Sequence, residues 1–195
     1  MSQHPIITRT KKNIPCLILI GMPGAGKTTL GKQLANRLNW PYLDSDYLIE
    51  ACYGRRLQDI VDATDKESFL DLECDVVCSI RAHRCVLGTG GSVIYRKPAM
   101  EHLKKLGLIV HLDVPLAVLK ERIGANPERG IAQAPGQSLA DLYKERKALY
   151  KRWSDFSCNN SAMSISETIQ TILRQIPKDF KDDESTALAS WERLK

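Results

Sequence analysis

The chain has 195 residues, 43% of them hydrophobic, 26% charged and 6% aromatic, which suits one compact soluble domain with a small lid or tail. With 28 Lys and Arg against 23 Asp and Glu, the net charge of +5 is compatible with an acidic ligand. It is too small, without a localised basic stripe, to imply nucleic-acid binding. The longest apolar run, Leu17 to Ile20, falls far short of the roughly 20 residues of a membrane helix, so no membrane partner is expected.

Ile14 to Ile20 is a short Ile- and Leu-rich run ending at Gly21, the pattern of a buried parallel strand. Leu30, Leu34 and Leu38 then recur on one helical face, and the helix stops before Pro41. A short strand at Tyr42 to Asp44 precedes helical segments around Tyr47 to Cys52 and Leu57 to Val61. Thr64 and Glu67 have the spacing of a capping box, ahead of a long helix bearing Phe69, Leu72, Val76 and Ile80.

Cys85 to Leu87 reads as a buried strand broken by Gly88, Gly90 and Gly91. Pro98 fits the first turn of a helix carrying Leu103 and Leu106, and strand character returns over Leu108 to Leu112. Pro115 opens a helix through Leu119 and Arg122, after which 124–136 loses all periodicity and reads as a lid. Ser138 with Asp141, and Ser164 with Glu167, cap the last two helices, with an edge strand at Asp155 to Cys158 between them. The alternation predicts an α/β domain over 14–176: a three-layer, mostly parallel five-stranded sheet with helices on both faces and a small lid. Residues 1–13 form an N-terminal extension and 177–195 a C-terminal tail.

The six cysteines, at 16, 52, 74, 78, 85 and 158, are scattered through patterned segments, so no disulfide framework is required. Cys74 and Cys78 share a helical face, but no neighbouring His or second Cys pair completes a metal site. Arg9, Lys11 and Lys12 are not followed by an apolar signal segment, and a reducing cytoplasm is the expected setting.

GMPGAGKTT, Gly21 to Thr29, is the strongest chemical signal: a G-x-x-x-x-G-K-T loop after a predicted strand and at the start of a helix. Gly21, Gly24 and Gly26 let backbone N–H groups turn inward around phosphates. Lys27 reaches the terminal phosphates, Thr28 supplies a hydroxyl for Mg2+, and Thr29 completes the nucleotide-binding turn. Asp44 and Asp46 follow the second strand, with Asp44 placed to approach the metal and Asp46 to receive a hydroxyl proton from an acceptor. Gly88, Thr89, Gly90, Gly91 and Ser92 form a wall that a substrate approaches closely. Arg122, Arg129 in the lid and Arg146 are the candidate anion clamps. Together these residues predict ATP- and Mg2+-dependent phosphoryl transfer to a small alcohol.

The set and order of motifs resemble the shikimate kinase family, which transfers the γ-phosphate of ATP to the 3-hydroxyl of shikimate in aromatic amino acid biosynthesis. The likeness runs from Ile14 to Ile176 through GMPGAGKTT, DSD at 44–46, GRRLQDI at 54–60, FLDLE at 69–73, GTGGS at 88–92, ERIG at 121–124, the lid with Arg129, and ERKALY at 145–150. The resemblance implies that Lys27, Asp46 and Arg129 are catalytic. Arg122 and Arg129 hold the nucleotide, and Asp46, Gly90, Gly91 and Arg146 bind the acceptor, Arg146 through its carboxylate. It further implies a small hydroxylated acid as partner and a monomer, or else a dimer.

Two positions depart from the family pattern. The family carries Arg after the Phe that corresponds to Phe69, where it holds the substrate carboxylate while the acid at Glu73 orients it; here the residue is Leu70. A run of three glycines becomes Gly90, Gly91 and Ser92. Arg9, Arg55 or Arg56 is left to fill the missing charge from another direction. The alternatives are a paralogue acting on another small hydroxylated acid, a gluconate-type kinase, and an ATP-binding regulatory protein descended from such an enzyme.

Overall fold

The computed structural model describes residues 15–124 and 136–177. The expected extension over 1–13, residues 125–135 of the lid with Arg129, and residues 178–195 of the tail lie outside the described residues. β1 (Cys16–Ile20) is buried at every position, as a strand covered on both faces must be. It feeds the glycine-rich loop and α1 (Lys27–Leu38), which buries Leu30, Gly31, Leu34 and Ala35. β2 (Tyr42–Asp44) leads directly into α2 (Ser45–Tyr53), α3 (Leu57–Ala63) and α4 (Lys66–Ser79). β3 (Val86–Gly88), a 3-10 turn at Val93–Tyr95, α5 (Lys97–Leu106) and β4 (Gly107–Leu112) follow. α6 (Leu116–Gly124), α7 (Leu139–Trp153), β5 (Phe156–Cys158) and α8 (Ile165–Gln175) complete the order.

The five strands pair in the order β2-β3-β1-β4-β5, and every pairing is parallel. Ile18 lies opposite Leu87 on one side and Ile109 on the other, so β1 is central. α1 packs across β1, β2 and β3 and meets α8, whereas α5 and α7 pack on β4. This is the expected three-layer arrangement. Because the strands are parallel, the loops that follow β1, β2 and β3 leave the sheet at one edge, where ligands of such sheets bind. A second, smaller apolar cluster, Ile49, Ile60, Phe69 and Val76, ties α2, α3 and α4 together beside that edge.

The capping boxes at Ser138 with Asp141 and Ser164 with Glu167 form as expected. The one expected at Thr64 and Glu67 does not. Asp65 caps α4 by accepting from the Ser68 N–H, while Thr64 ends α3 and donates its hydroxyl to the Ile60 carbonyl at 2.8 Å. Asp outranks Thr as an N-cap, and the adjoining helix had already taken the Thr64 hydroxyl. Glu67 instead pairs with Arg96 at 2.8 Å.

Tyr42 is the residue through which packing reaches the ligand edge. A Cβ on Gly31 would sit 2.5 Å from Tyr42 Cε2 and 3.3 Å from Leu19 Cδ1, so α1 leaves a slot that only glycine provides. Gly31→Ala would gain about 1 kcal/mol of helix propensity but overpack the slot at about 1–3 kcal/mol. A net loss of about 1 kcal/mol is expected, read as a lower urea midpoint at unchanged m-value. In a Tyr42→Ala background the same change should turn stabilising. A G31A protein more stable than wild type would contradict this packing.

Candidate active site

The phosphate loop starts where β1 ends and closes at Gly26, whose φ of 92° is left-handed and open to glycine at little cost. That turn aims the first amides of α1 into the loop, a ready anion site. Lys27 Nζ donates to the Gly21 and Met22 carbonyls at 2.8 and 3.0 Å, which holds the ammonium over the same loop. Arg122, in the last turn of α6, donates to the Gly24 carbonyl at 3.4 Å.

Asp44 joins this loop to β2 and α2. Its Oδ2 accepts from Thr28 Oγ1 at 3.2 Å and from the Tyr42 hydroxyl at 2.6 Å, and its Oδ1 caps α2 by accepting from the Asp46 N–H at 3.1 Å. Burial, reinforced by the Asp44 carboxyl, raises the Tyr42 phenol well above its ordinary pKa and keeps it a donor. Among the described residues no three His, Cys, Asp or Glu side chains gather into a metal cage. One hydroxyl beside one carboxylate nevertheless suits Mg2+, which takes few protein ligands and completes its shell with phosphates and water.

Asp46 lies in the first turn of α2, where a carboxylate is favoured by the helix dipole. It faces Gly90: a Cβ there would stand 2.9 Å from Asp46 Oδ1 and overlap Glu73 Oε1. The Gly90 N–H donates to Ser45 Oγ at 3.1 Å, fixing the wall against the start of α2. Glu73 of α4 is 1% exposed, and its Oε1 has no hydrogen-bond partner. Burial, then the charge of Asp46, pushes its pKa up to about 8 against the Ser92 hydrogen bond and the charges of Arg146 and Lys27. Glu73 is therefore largely protonated at neutral pH.

Arg146 of α7 is buried beside the glycine wall. It is 1% exposed, donates from Nε to the Tyr95 hydroxyl at 3.2 Å, and lies against Gly91, whose Cβ would stand 3.0 Å from Nη1. Tyr150, one helical turn on, donates to the Gly91 carbonyl at 2.6 Å. The two side chains brace the glycine wall from behind.

Two clefts meet at Gly24 and Gly26. One, of about 260 Å³, is lined by Lys27, Thr28, Asp44, Asp46, Arg56 and Gly91, among others. The other, of about 270 Å³, has Thr29 and Arg122 at its rim with Leu30, Met163 and Ile165 as apolar lining, a shape and chemistry suited to a nucleoside. Terminal phosphates bound between them would face Asp46. The structure thus gathers Gly21, Gly24, Gly26, Lys27, Thr28, Thr29, Asp44, Asp46, Gly90, Gly91 and Arg122 around one junction, with Arg146 behind the wall and Arg129 outside the described residues.

Three contributors were not singled out from the sequence: Tyr42, Tyr95 and Asn160. Tyr42 had a signal, since alternation along a strand puts it on the same face as Asp44. Asn160, whose Nδ2 donates to the Ala25 carbonyl at 3.1 Å, and Tyr95 are brought in from distant segments and had none.

Glu73 gives a pH test. A carboxyl whose pKa is higher folded than unfolded makes the folded state bind the extra proton between the two values, so its stabilisation is complete below about 4.5 and is lost as pH rises through about 8. Glu73→Gln should remove that loss, so the stability of wild type relative to E73Q should fall from pH 5 to pH 8 in urea titrations. Parallel curves would contradict a proton on Glu73.

The shikimate kinase family model matches residues 23–177. The shikimate kinase of Synechococcus elongatus is 33% identical over 180 residues, covering 90% of this chain and 94% of that protein. Human threonine synthase-like 1 is 34% identical over 182 residues, 91% of this chain and 24% of that protein. The solved structure of shikimate kinase from Acinetobacter baumannii in complex with shikimate superposes with a TM-score of 0.74 at 33% identity, covering 82% of this chain and 91% of that one. Sequence and fold agree along nearly the whole described domain: the chain belongs to the shikimate kinase family and is an ATP-dependent phosphotransferase acting on a small hydroxylated substrate.

Proposed function

We propose that this protein transfers the γ-phosphate of ATP to a hydroxyl of shikimate. The observation that carries the reading is the single cleft in which the phosphate-binding Lys27 and Thr28 share walls with Asp46 and Gly91. The solved relative crystallised with shikimate supports the choice of acceptor. A reducing, cytoplasmic setting belongs to this reading, since a chain of this size needs no disulfide framework.

Gly21, Gly24, Gly26, Lys27, Thr29 and Arg122 bind the nucleotide, with Arg129 as the lid cation; Thr28 and Asp44 hold the metal. Held there, Mg2+ would supply positive charge to neutralise the phosphates. Asp46 receives the acceptor hydroxyl proton as that oxygen attacks phosphorus, and its place at the start of α2 orients it. Lys27 stabilises the charge that spreads over the transferring oxygens. Gly90 and Gly91 let the acceptor ring approach the backbone, and Arg146 fixes the Gly91 wall from behind. Glu73, neutral, avoids a second negative charge beside Asp46.

The acceptor side carries the departures from the family pattern. Leu70, where the family has Arg, is 2% exposed and offers no donor. Ser92, where the family has a third glycine, offers the Glu73 carboxyl a neutral hydroxyl that lowers its pKa against burial. Those two residues are what favours the second reading, a kinase for another small hydroxylated acid.

Asp46→Asn should leave ATP binding by calorimetry nearly unchanged and lower kcat for shikimate-dependent ADP release by about 10²–10⁴-fold, the usual contribution of a positioned base. Lys27→Ala should lower kcat by about 10²–10³-fold while the thermal midpoint stays within a few degrees, since the half-buried ammonium contributes little to the core. Wild-type turnover in either folded variant would overturn the assignment.

A further inference from the structure

We infer that Tyr42 sets the metal selectivity of the phosphoryl-transfer site: by holding Asp44 Oδ2 it leaves that carboxylate a single open acceptor direction, which suits Mg2+ and disfavours Ca2+. The inference rests on the reading above that Thr28 and Asp44 hold the metal, and it concerns how the chain prepares them.

A carboxylate offers about four acceptor directions, two on each oxygen. Three of those of Asp44 are taken. Oδ2 accepts from the Tyr42 hydroxyl at 2.6 Å and from Thr28 Oγ1 at 3.2 Å, and Oδ1 accepts from the Asp46 N–H at 3.1 Å. What remains is one direction on Oδ1, on a side chain that is 8% exposed and lines the cleft. The Thr28 bond suits a metal ligand, because a hydroxyl that gives its proton to a carboxylate keeps its lone pairs for a cation. The Asp46 bond is the cap of α2 and comes with the fold. The Tyr42 bond is required by neither the phosphate loop nor the cap.

The phenol is locked where it is. Tyr42 and Asp44 alternate onto one face of β2, and the ring lies between α1 and the end of β3. A Cβ on Gly31 would press on the ring, and one on Gly88 would overlap the hydroxyl, so both glycines keep room for a tyrosine and little more. The hydroxyl is thereby kept on Asp44 Oδ2. Mg2+ demands a near-ideal octahedral shell, keeps several waters and uses about one or two carboxylates. Ca2+ takes about six to eight oxygens in a looser shell and accepts both oxygens of one carboxylate. With Oδ2 saturated, Asp44 gives the smaller ion the one contact it uses and denies the larger ion a second oxygen. Tyr42 is a positioning residue, acting on the metal through Asp44.

The test compares wild type with Tyr42→Phe, which keeps the ring in its slot and removes one oxygen. Calorimetric titration with ADP, in a fixed excess of either Mg2+ or Ca2+, gives two dissociation constants for each protein. The change in their ratio, Ca2+ over Mg2+, between the two proteins is free of the solution affinity of ADP for each ion. Y42F should lower that ratio about tenfold, chiefly through tighter ADP binding with Ca2+, at a thermal midpoint within a few degrees of wild type. In steady-state ADP release with Mg2+, added Ca2+ should inhibit Y42F at about tenfold lower concentration, with KM for shikimate unchanged. A wild-type ratio near one, an unchanged ratio in Y42F, or an equal loss of ADP affinity with both ions would overturn the role of Tyr42. Asp44→Asn separates this from the underlying reading. If ADP affinity with Mg2+ survives in D44N, Asp44 does not serve the metal and that reading fails; if D44N loses it while Y42F keeps the wild-type ratio, only the inference about Tyr42 fails.

Discussion

The site depends on where one carboxylate is held. Asp44 ends β2, and three donors converge on it: the Thr28 hydroxyl from α1, the Tyr42 phenol from the same strand face, and the Asp46 N–H in the first turn of α2. The contacts fix the distance between the phosphate loop and the acceptor wall. They also set the direction of α2, and with it the carboxylate of Asp46. Tyr42 reaches Asp44 only because α1 passes over it at Gly31 and β3 ends under it at Gly88, where a side chain would collide with the phenol. Small residues in the core and chemistry at the edge are therefore parts of one arrangement.

The two halves of the cleft obey different electrostatic rules. On the nucleotide side the chain offers amides, Lys27 and Arg122 to an anion, a favourable arrangement before any metal arrives. On the other side Asp46 and Glu73 crowd the same glycine, and the charge of Asp46 adds to burial in raising the Glu73 pKa. Glu73 is 1% exposed, and that burial favours its protonated form, whereas Asp46 is half-buried in the first turn of α2.

What the sequence made legible follows from how local each signal is. The phosphate loop, two capping boxes and the alternation of strands and helices rest on spacings within a few residues, and all appear where expected. The Thr64 cap failed because its competitor, Asp65, was adjacent and the stronger capper. The depth of Arg146 was readable in principle: it lies between Leu142 and Tyr150 at helical spacing, on a stripe that α7 buries. Its partner Tyr95 was not, since only the folded chain brings the short turn before α5 against α7. The burial of Glu73 is likewise a tertiary fact, set by the packing of α4 beside Gly90.

The central claim is that the phosphates and Asp46 face one another across a single cleft so that phosphorus moves to an acceptor hydroxyl rather than to water. Phosphorus-31 NMR of the reaction with ATP, Mg2+ and shikimate measures this directly. The account predicts a new phosphomonoester resonance, coupled to a ring proton of the acceptor and growing in step with ADP. ADP accompanied only by inorganic phosphate would contradict it.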